Sequence, residues 1–557
     1  MSRGGRSSRG DGAGDALTLV LLWLVCYPLA ITLSEALGAP RWNLGFFSEF
    51  ARRPDEWRAL GASLWISLAT VALSAAIGIP LAFLFERAQF PGRRVLGALV
   101  ALPVVLPPLV GVVAFLFLYG ESGFVSRGVQ SALRLDAPPW RLSGPGAILL
   151  VHAYSMYVYF YLFTRAGLAR LDGAYAEAAA SLGAGPLRTL WRVTRPQLSP
   201  ALLAAALLTF MTSLASFSAP YIFGGTFRVL TTQILFSRLN GDVAMAMVET
   251  TVLAAVALAG LFLLQRSEAR AEAGAAAGVR GLAPSRRRLG ASRFVAAGLG
   301  WILAAALLLP HATLLLVSFV PTGTWTNQTL PPVLDFSNYR ALFSEPERLR
   351  PIANSLWMAA TATAAAFAVG LLGAWLAVVR RARRRAWIEA LISMPWALPG
   401  TVFAVALAAT FSRRAPWAGR FVLVGTVAIL PLAYFIRSLP LTGRAAFAGL
   451  RRLDPALEEA GASLGAGAWR RLWKITLPLL RPALAAGASL AFLTALGDFV
   501  VSIVLYTFDT RPISIEILAS LRMQEMGAAA AYGILLAALS TAAFLLWGRS
   551  AETARGG

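Results

Sequence analysis

The side chains of this 557-residue chain that could do chemistry are few. Asp498 is the clearest, an acid inside a long apolar stretch, where an ionisable group marks a functional site by default. The position 282 residues earlier is Ser216, in a run with Ser213, Phe217 and Ser218, and Ser502 follows Asp498 closely. These five polar residues, Ser213, Ser216, Ser218, Asp498 and Ser502, are candidates to line a path through the bilayer, with Asp498 suited to a cationic cargo. The competing reading is that Asp498 is solvated at the outer end of its span or bonded to a neighbouring helix. Glu86 and Glu389 fall at expected cytoplasmic ends and read as interfacial.

The usual catalytic and cofactor signatures are missing. There is no GxxxxGK[ST] to cradle phosphates, and the single lysine, Lys474, does not follow a glycine-rich turn. There is no HExxH, no Cys-x-x-Cys and no His-rich stretch, so no catalytic or metal-ligating residue is assigned. Cys26 is the only cysteine, which excludes an intrachain disulfide and a thiolate cluster. His152 and His311 each lie near an end of an apolar run and read as interfacial polar residues rather than a metal site.

The elements that hold these residues are membrane spans. Hydrophobic residues make up 57% of the chain and charged ones 14%, against about 25% charged in a soluble domain. Mean hydropathy is +0.66. Twelve apolar runs are long enough to be spans, about 20 residues being needed to cross the hydrocarbon core. The first six lie near 16–33, 61–85, 95–119, 146–164, 198–219 and 247–265. The second six lie near 295–319, 355–379, 388–411, 421–440, 481–505 and 529–547. The run at 146–164 is weak, being rich in tyrosine. The first run follows Arg3, Arg6 and Arg9 like a signal peptide, but it is long and lacks a good cleavage site, so an uncleaved span is expected.

A net charge of +23 on a soluble domain would suggest nucleic acid, but here the arginines sit in short clusters between apolar runs. The clusters Arg87, Arg93 and Arg94, Arg286–Arg288, and Arg380 to Arg385 fall on one side. Residues 34–60, on the other side, hold four acids and four arginines. The positive-inside rule then places both termini in the cytoplasm. The Ala-, Gly- and Arg-rich segment 266–293 reads as a flexible cytoplasmic linker between halves 1–265 and 294–557.

A repeat fixes that division. Residues 171–202, LDGAYAEAAASLGAGPLRTLWRVTRPQLSPAL, align without a gap to 453–484, LDPALEEAGASLGAGAWRRLWKITLPLLRPAL, with 20 identities in 32 positions at an offset of 282. Each copy reads as a helix opened by Asp, ended by glycine (Gly183 and Gly185 in the first copy), and followed by an amphipathic helix through Leu187, Leu190 and Trp191. Pro196 and Pro200 are expected to break the chain before the next span. Prolines 103, 107 and 108, and 395 and 399, predict broken helices at comparable places in the two halves.

The repeat resembles the EAA loop of binding-protein-dependent ABC permeases: Glu-Ala-Ala, three residues, Gly, then a hydrophobic and basic stretch ending in Pro. The first copy supplies Glu177, Ala178, Ala179 and Gly183; the second supplies Glu459, Ala460 and Gly465, with Gly461 in place of the second alanine. The resemblance implies an all-α polytopic membrane protein of the type I importer permease fold, with two homologous six-helix halves and about 12 transmembrane helices. It implies a permease subunit rather than an enzyme, with no cofactor of its own and ATP bound by a partner. The implied partners are two copies of a cytoplasmic ABC ATPase, a substrate-binding protein and membrane lipid, with no nucleic acid. In the family the loop docks on the ATPase, so Glu177, Ala178, Gly183, Glu459, Ala460 and Gly465 become the coupling residues. The implied location is the bacterial inner membrane. Fused two-half permeases of this length resemble ferric-iron or thiamine importers, and ALGDFVVSIVLYTFDTRPISIEI (Ala495–Ile517) resembles the ferric-iron type. Aminoethylphosphonate and polyamine importers share the architecture. A secondary transporter is the other class of reading, but it has no use for paired EAA loops.

Overall fold

A computed structural model describes residues 7–104, 107–276, 287–288, 292–325, 328–414 and 421–552. Among them the chain is helical, apart from a two-residue parallel pairing of Ala88–Gln89 with Arg287–Arg288. Ten helices are long and apolar enough to cross a membrane. The pair Arg385–Trp396 and Gly400–Phe411, bent by 106°, brings the number to eleven at most. Of the twelve expected spans, 421–440 falls short: the helix there starts later, at Ile429, and runs to Arg452. Its four arginines lower its mean hydropathy, yet it is well buried and packs on Pro346–Ala374 much as Gly144–Leu168 packs on Pro54–Arg87.

The two halves repeat this packing. In each, the helix after the repeat element (Arg195–Leu214 or Leu477–Leu496) lies against both members of that pair. Close contact is licensed by glycine at matching crossings. A Cβ on Gly78 would meet the Tyr157 carbonyl oxygen at 2.4 Å, and one on Gly370 would meet the Gly443 nitrogen at 2.9 Å. Small residues serve this purpose in membranes, where lipid offers no hydrophobic drive between helices.

The halves clasp each other through their broken helices. Pro108–Tyr119 packs against Ser292–Ser318 and Met526–Glu552 of the second half, while Gly400–Phe411 packs against Tyr27–Ala36 and Val243–Ala276 of the first. The breaks fall where the prolines predict: a 3-10 turn over Leu102–Val104 precedes Pro107 and Pro108, and another over Met394–Trp396 precedes Pro399. Proline has no N–H and disfavours helix in the residue before it.

Three expectations are corrected. Pro196 and Pro200 do not break the chain; helix runs from Pro186 to Leu214, with a π turn over Leu190–Thr194 just before Pro196. The second copy repeats this, with a π turn over Leu472–Thr476 before Pro478. A π turn shifts the hydrogen-bond register by one residue, which lets a helix continue past a missing donor. The spans expected over 198–219 and 481–505 instead end at Leu214 and Leu496, and short helices Ser218–Phe223 and Val500–Leu505 follow after an unwound stretch. The linker expected over 266–293 begins as helix, since Val243–Ala276 continues through its Ala-, Glu- and Arg-rich start; residues 277–286 and 289–291 of that expectation lie outside the described residues.

Replacing Gly370 with leucine should force Pro346–Ala374 and Ile429–Arg452 apart at a cost of about 1–3 kcal/mol. Thermal denaturation of the detergent-solubilised protein should show a clearly lower midpoint, with Gly128→Leu, where a Cβ meets nothing within 4 Å, as the insensitive control.

Candidate functional site

The two repeat elements have the same local structure. In the first, Asp172 caps helix Gly173–Ser181, its Oδ1 accepting from the Ala174 N–H at 3.0 Å. In the second, Asp454 caps Pro455–Ser463 through the Ala456 N–H at 2.9 Å. Each helix ends in a left-handed glycine, Gly183 at φ +76° and Gly465 at φ +77°. The Ala184 N–H then bonds back to the Ala179 carbonyl at 2.9 Å, and Ala466 to Gly461 at 3.0 Å. A Cβ at either glycine would meet nothing within 4 Å, so conformation rather than space selects glycine. Gly185, expected to share in ending the first helix, instead caps the start of the next at φ −66°.

Glu177, Ala178, Glu459 and Ala460 are exposed, and among the described residues neither carboxylate has an ion pair or hydrogen bond. The structure adds an apolar stripe that the motif reading missed. Leu182 is 89% exposed and Leu464, at the same place in the repeat, 88%. Tyr175 and Leu457, Leu187 and Trp469, and Trp191 and Trp473 are likewise exposed as matched pairs. The signal was already in the repeat, where Leu and Trp recur among the identical positions.

The second cluster lies where the helices after the repeat elements unwind. Ser216 and Asp498 sit in these breaks at matching places. Ser216 Oγ is 2.9 Å from His152 Nε2, and His152 Nδ1 is 3.2 Å from both Ser213 Oγ and Thr70 Oγ1. His152 is therefore buried and bonded, not interfacial as expected; the small hydroxyl side chains around it leave room for the ring within the bundle. His311 bonds Tyr154 at 3.3 Å. Among the described residues no three His, Cys, Asp or Glu gather where they could hold a metal ion.

In the second half a charged pair stands near the same place. Arg437 Nη1 donates to Asp498 Oδ2 at 2.7 Å, while Asp498 Oδ1 accepts from the Val501 N–H at 2.8 Å. Ser502 Oγ donates to the Asp498 carbonyl at 2.6 Å and lies 2.6 Å from Tyr434 Oη. Asp498 is thus buried, paired and part of a helix cap, which is the competing reading of this residue. A Cβ on Gly400 would fall 2.2 Å from Arg437 Nη1, so a larger residue there would displace the tip of that side chain. Arg437 thereby joins the Pro399–Gly400 break of one helix to the Asp498 break of another.

The axis relating the halves passes close by. Phe217 and Phe499, which correspond under the repeat offset, touch each other with ring centroids 5.8 Å apart, and Tyr221 stacks on Phe217 at 5.2 Å. Two equivalent residues can meet only near the axis that exchanges them. Both are buried, and a Cβ on Gly497 would come within 2.9 Å of Pro107 in the opposite half's break. The seam between the halves is therefore shut at this level. Ser218 is buried at the first turn of Ser218–Phe223. Sequence reasoning reached the serines and Asp498 but missed His152, Arg437 and the phenylalanine pair, whose partners come from helices remote in sequence.

Comparison with known proteins agrees with this architecture. The family model described as "Binding-protein-dependent transport system inner membrane component" matches twice, over residues 58–271 and 369–551. The probable ABC transporter permease protein y4fN of Sinorhizobium fredii is 31% identical, over 97% of both chains. The ferric transport system permease protein FbpB of Actinobacillus pleuropneumoniae is 28% identical over 88% of this chain and 70% of its own. The molybdenum transport system permease protein ModB of Mycobacterium tuberculosis is 32% identical over 37% of this chain and 78% of its own. With two matched segments, one in each half of an all-α bundle, the chain belongs to the family of binding-protein-dependent ABC transporter permeases, multi-pass proteins of the inner membrane.

Proposed function

We propose that this chain is the two-half permease of a ferric-iron importer. The observation that carries the cargo is the extent of similarity. Relatives named as ferric permeases are long enough to match through both halves, over 88% and 89% of this chain, while the molybdenum and sulfate permeases are shorter chains that match over 37% and 30% of it, so the two-half architecture is the one the ferric permeases share. Ferric iron is the substrate in this reading and not a resident cofactor. A binding protein delivers it on the outer face, and ATP is bound and hydrolysed on partner subunits.

Both termini lie in the cytoplasm, which puts the two repeat elements on that side. Each offers one docking surface, so two ATPase copies bind. Glu177 and Glu459 make the polar contacts, Leu182 and Leu464 enter an apolar groove, and Gly183 and Gly465 set the turn between the two short helices. Closure of the ATPase pair on ATP draws the two elements together and moves the helices Arg195–Leu214 and Leu477–Leu496. The unwound segments at their far ends, with the helical turns on either side, carry Ser213, Ser216, Phe217, Ser218, Asp498, Phe499 and Ser502 and line the path, which opens when the phenylalanine pair separates. Uncoupling Arg437 from Asp498 at that moment exposes a carboxylate to a passing cation.

The complex reconstituted with its ATPase should hydrolyse ATP faster when its binding protein carries ferric iron than when it is empty, and thiamine should have no such effect. Stimulation by thiamine or molybdate instead would overturn the cargo and keep the architecture. Leu464→Glu should weaken ATPase binding at least tenfold in a pull-down from nanodiscs, because a buried anchor of this kind is commonly worth about 2 kcal/mol or more. Gly465→Val should lower transport while leaving expression intact, since a β-branched residue pays heavily for left-handed backbone; normal transport by a well-expressed variant would contradict the turn's role.

A further inference from the structure

The two repeat elements share 20 of 32 residues, yet the second contains an ion pair that the first cannot form. Glu458 Oε2 accepts from Arg471 Nε at 2.9 Å, and its Oε1 accepts from Thr476 Oγ1 at 2.7 Å. Arg471 Nη1 also donates to the Ala466 carbonyl, just beyond the left-handed glycine, at 2.5 Å. Glu458 and Arg471 side chains are only 24% and 20% exposed, so solvent weakens the pair less than at an open surface. Three segments are tied by one acid and one base: the helix Pro455–Ser463, the turn, and the trunk helix that continues to Leu496.

In the first element the matching positions are Ala176 and Thr189, which carry no charge, and Thr189 Oγ1 bonds only its own helix, at the Gly185 carbonyl. The same comparison explains Gly461. A Cβ there would lie 2.8 Å from Ile475 Cδ1 and 3.0 Å from Arg471 Cδ, so the glycine makes room for the isoleucine tip and for the arginine stem that crosses it. The first element, with the shorter Val193 and Thr189 in place of Ile475 and Arg471, keeps Ala179.

The far ends of the trunk helices differ in the same sense. The second ends beside the Arg437–Asp498 pair, the first beside the uncharged His152–Ser216 contact. The trunk Ala468–Leu496 has 29 residues, about 43 Å of helix at about 1.5 Å per residue. Among the described residues it has an ion pair at both ends, and its counterpart Pro186–Leu214 at neither.

We propose that Glu458, Arg471 and Gly461 are positioning residues that make the second element the driven one: it transmits motion of its ATPase rigidly along Ala468–Leu496 to the Arg437–Asp498 pair, while the first element is a compliant dock. This rests on the reading that the repeat elements receive the ATPase. The pair acts through geometry and touches no cargo. Its consequence is that two identical ATPase copies meet unlike partners, and that equivalent lesions in the two elements have unequal effects.

The test uses the full chain in lipid nanodiscs. Backbone hydrogen exchange over 455–467 should be slower than over 173–185 by roughly tenfold, the protection expected of a charge-assisted brace. Glu458→Ala should abolish the difference. Gly461→Ala, which keeps both charges but obstructs the arginine stem, should do the same and serves if the first variant folds poorly. The triple replacement A176E/A179G/T189R should slow exchange in the first element. With the ATPase reconstituted, Glu458→Ala should lower cargo flux per ATP severalfold without preventing ATPase binding. Equal exchange in the two wild-type elements would overturn the brace, and unchanged flux per ATP in a loosened variant would overturn the driven half. Failure of the ATPase to bind the unmodified chain would instead count against the docking reading, and the exchange measurement does not depend on it.

Discussion

A membrane interior contains no water to satisfy a broken helix, so every unwound backbone segment in this chain must be enclosed by protein. That constraint organises the molecule. The breaks before Pro108 and Gly400 lie on helices that the opposite half covers with its first and last spans. All twelve residues of Gly400–Phe411 are buried. Neither half could hide its broken helix alone, which gives a physical reason for the two halves to be clasped rather than merely linked.

Within this clasp the breaks converge on the axis between the halves. Pro107 of the first approaches Gly497 of the second, Arg437 spans from Gly400 to Asp498, and Phe217 meets Phe499. Polar groups that would be costly in lipid are satisfied there by one another: His152 by serine and threonine, Asp498 by an arginine and a backbone N–H. The helices leading to this seam run without interruption from the repeat elements, passing their prolines through π turns. A displacement at one end therefore has a continuous route to the other.

The pseudo-symmetry is strict in backbone and loose in chemistry. Matching helices, caps, π turns and left-handed glycines recur in both halves, because each is needed to form the same element. Some charges recur, as in Asp172 and Asp454, Glu177 and Glu459, and the ion pairs Arg53–Asp242 and Arg348–Glu525, but others do not. The second half has ion pairs at 458 and 471 and at 437 and 498, where the first has alanine and threonine at the former and an uncharged contact near the latter. A fused chain permits this, since its halves are free to diverge while remaining in fixed proportion.

The sequence by itself determined the membrane class, the division into halves, the repeat elements with their Asp caps and terminal glycines, and the breaks before Pro108 and Gly400. All of these rest on composition, local turn chemistry or internal similarity, which act over a few residues or repeat in register. It started one span too early, at 421 where the helix begins at Ile429, and it did not show that this arginine-bearing helix is enclosed along one face by its neighbours. It read His152 as interfacial because the serines and threonine that bond it lie 61 to 82 residues away. Only the tertiary structure decided that Asp498 is paired, that Phe217 and Phe499 close the axis, and that Gly461 yields space to Arg471. Each depends on a contact between helices, and hydrophobic periodicity says which face is buried without saying against what.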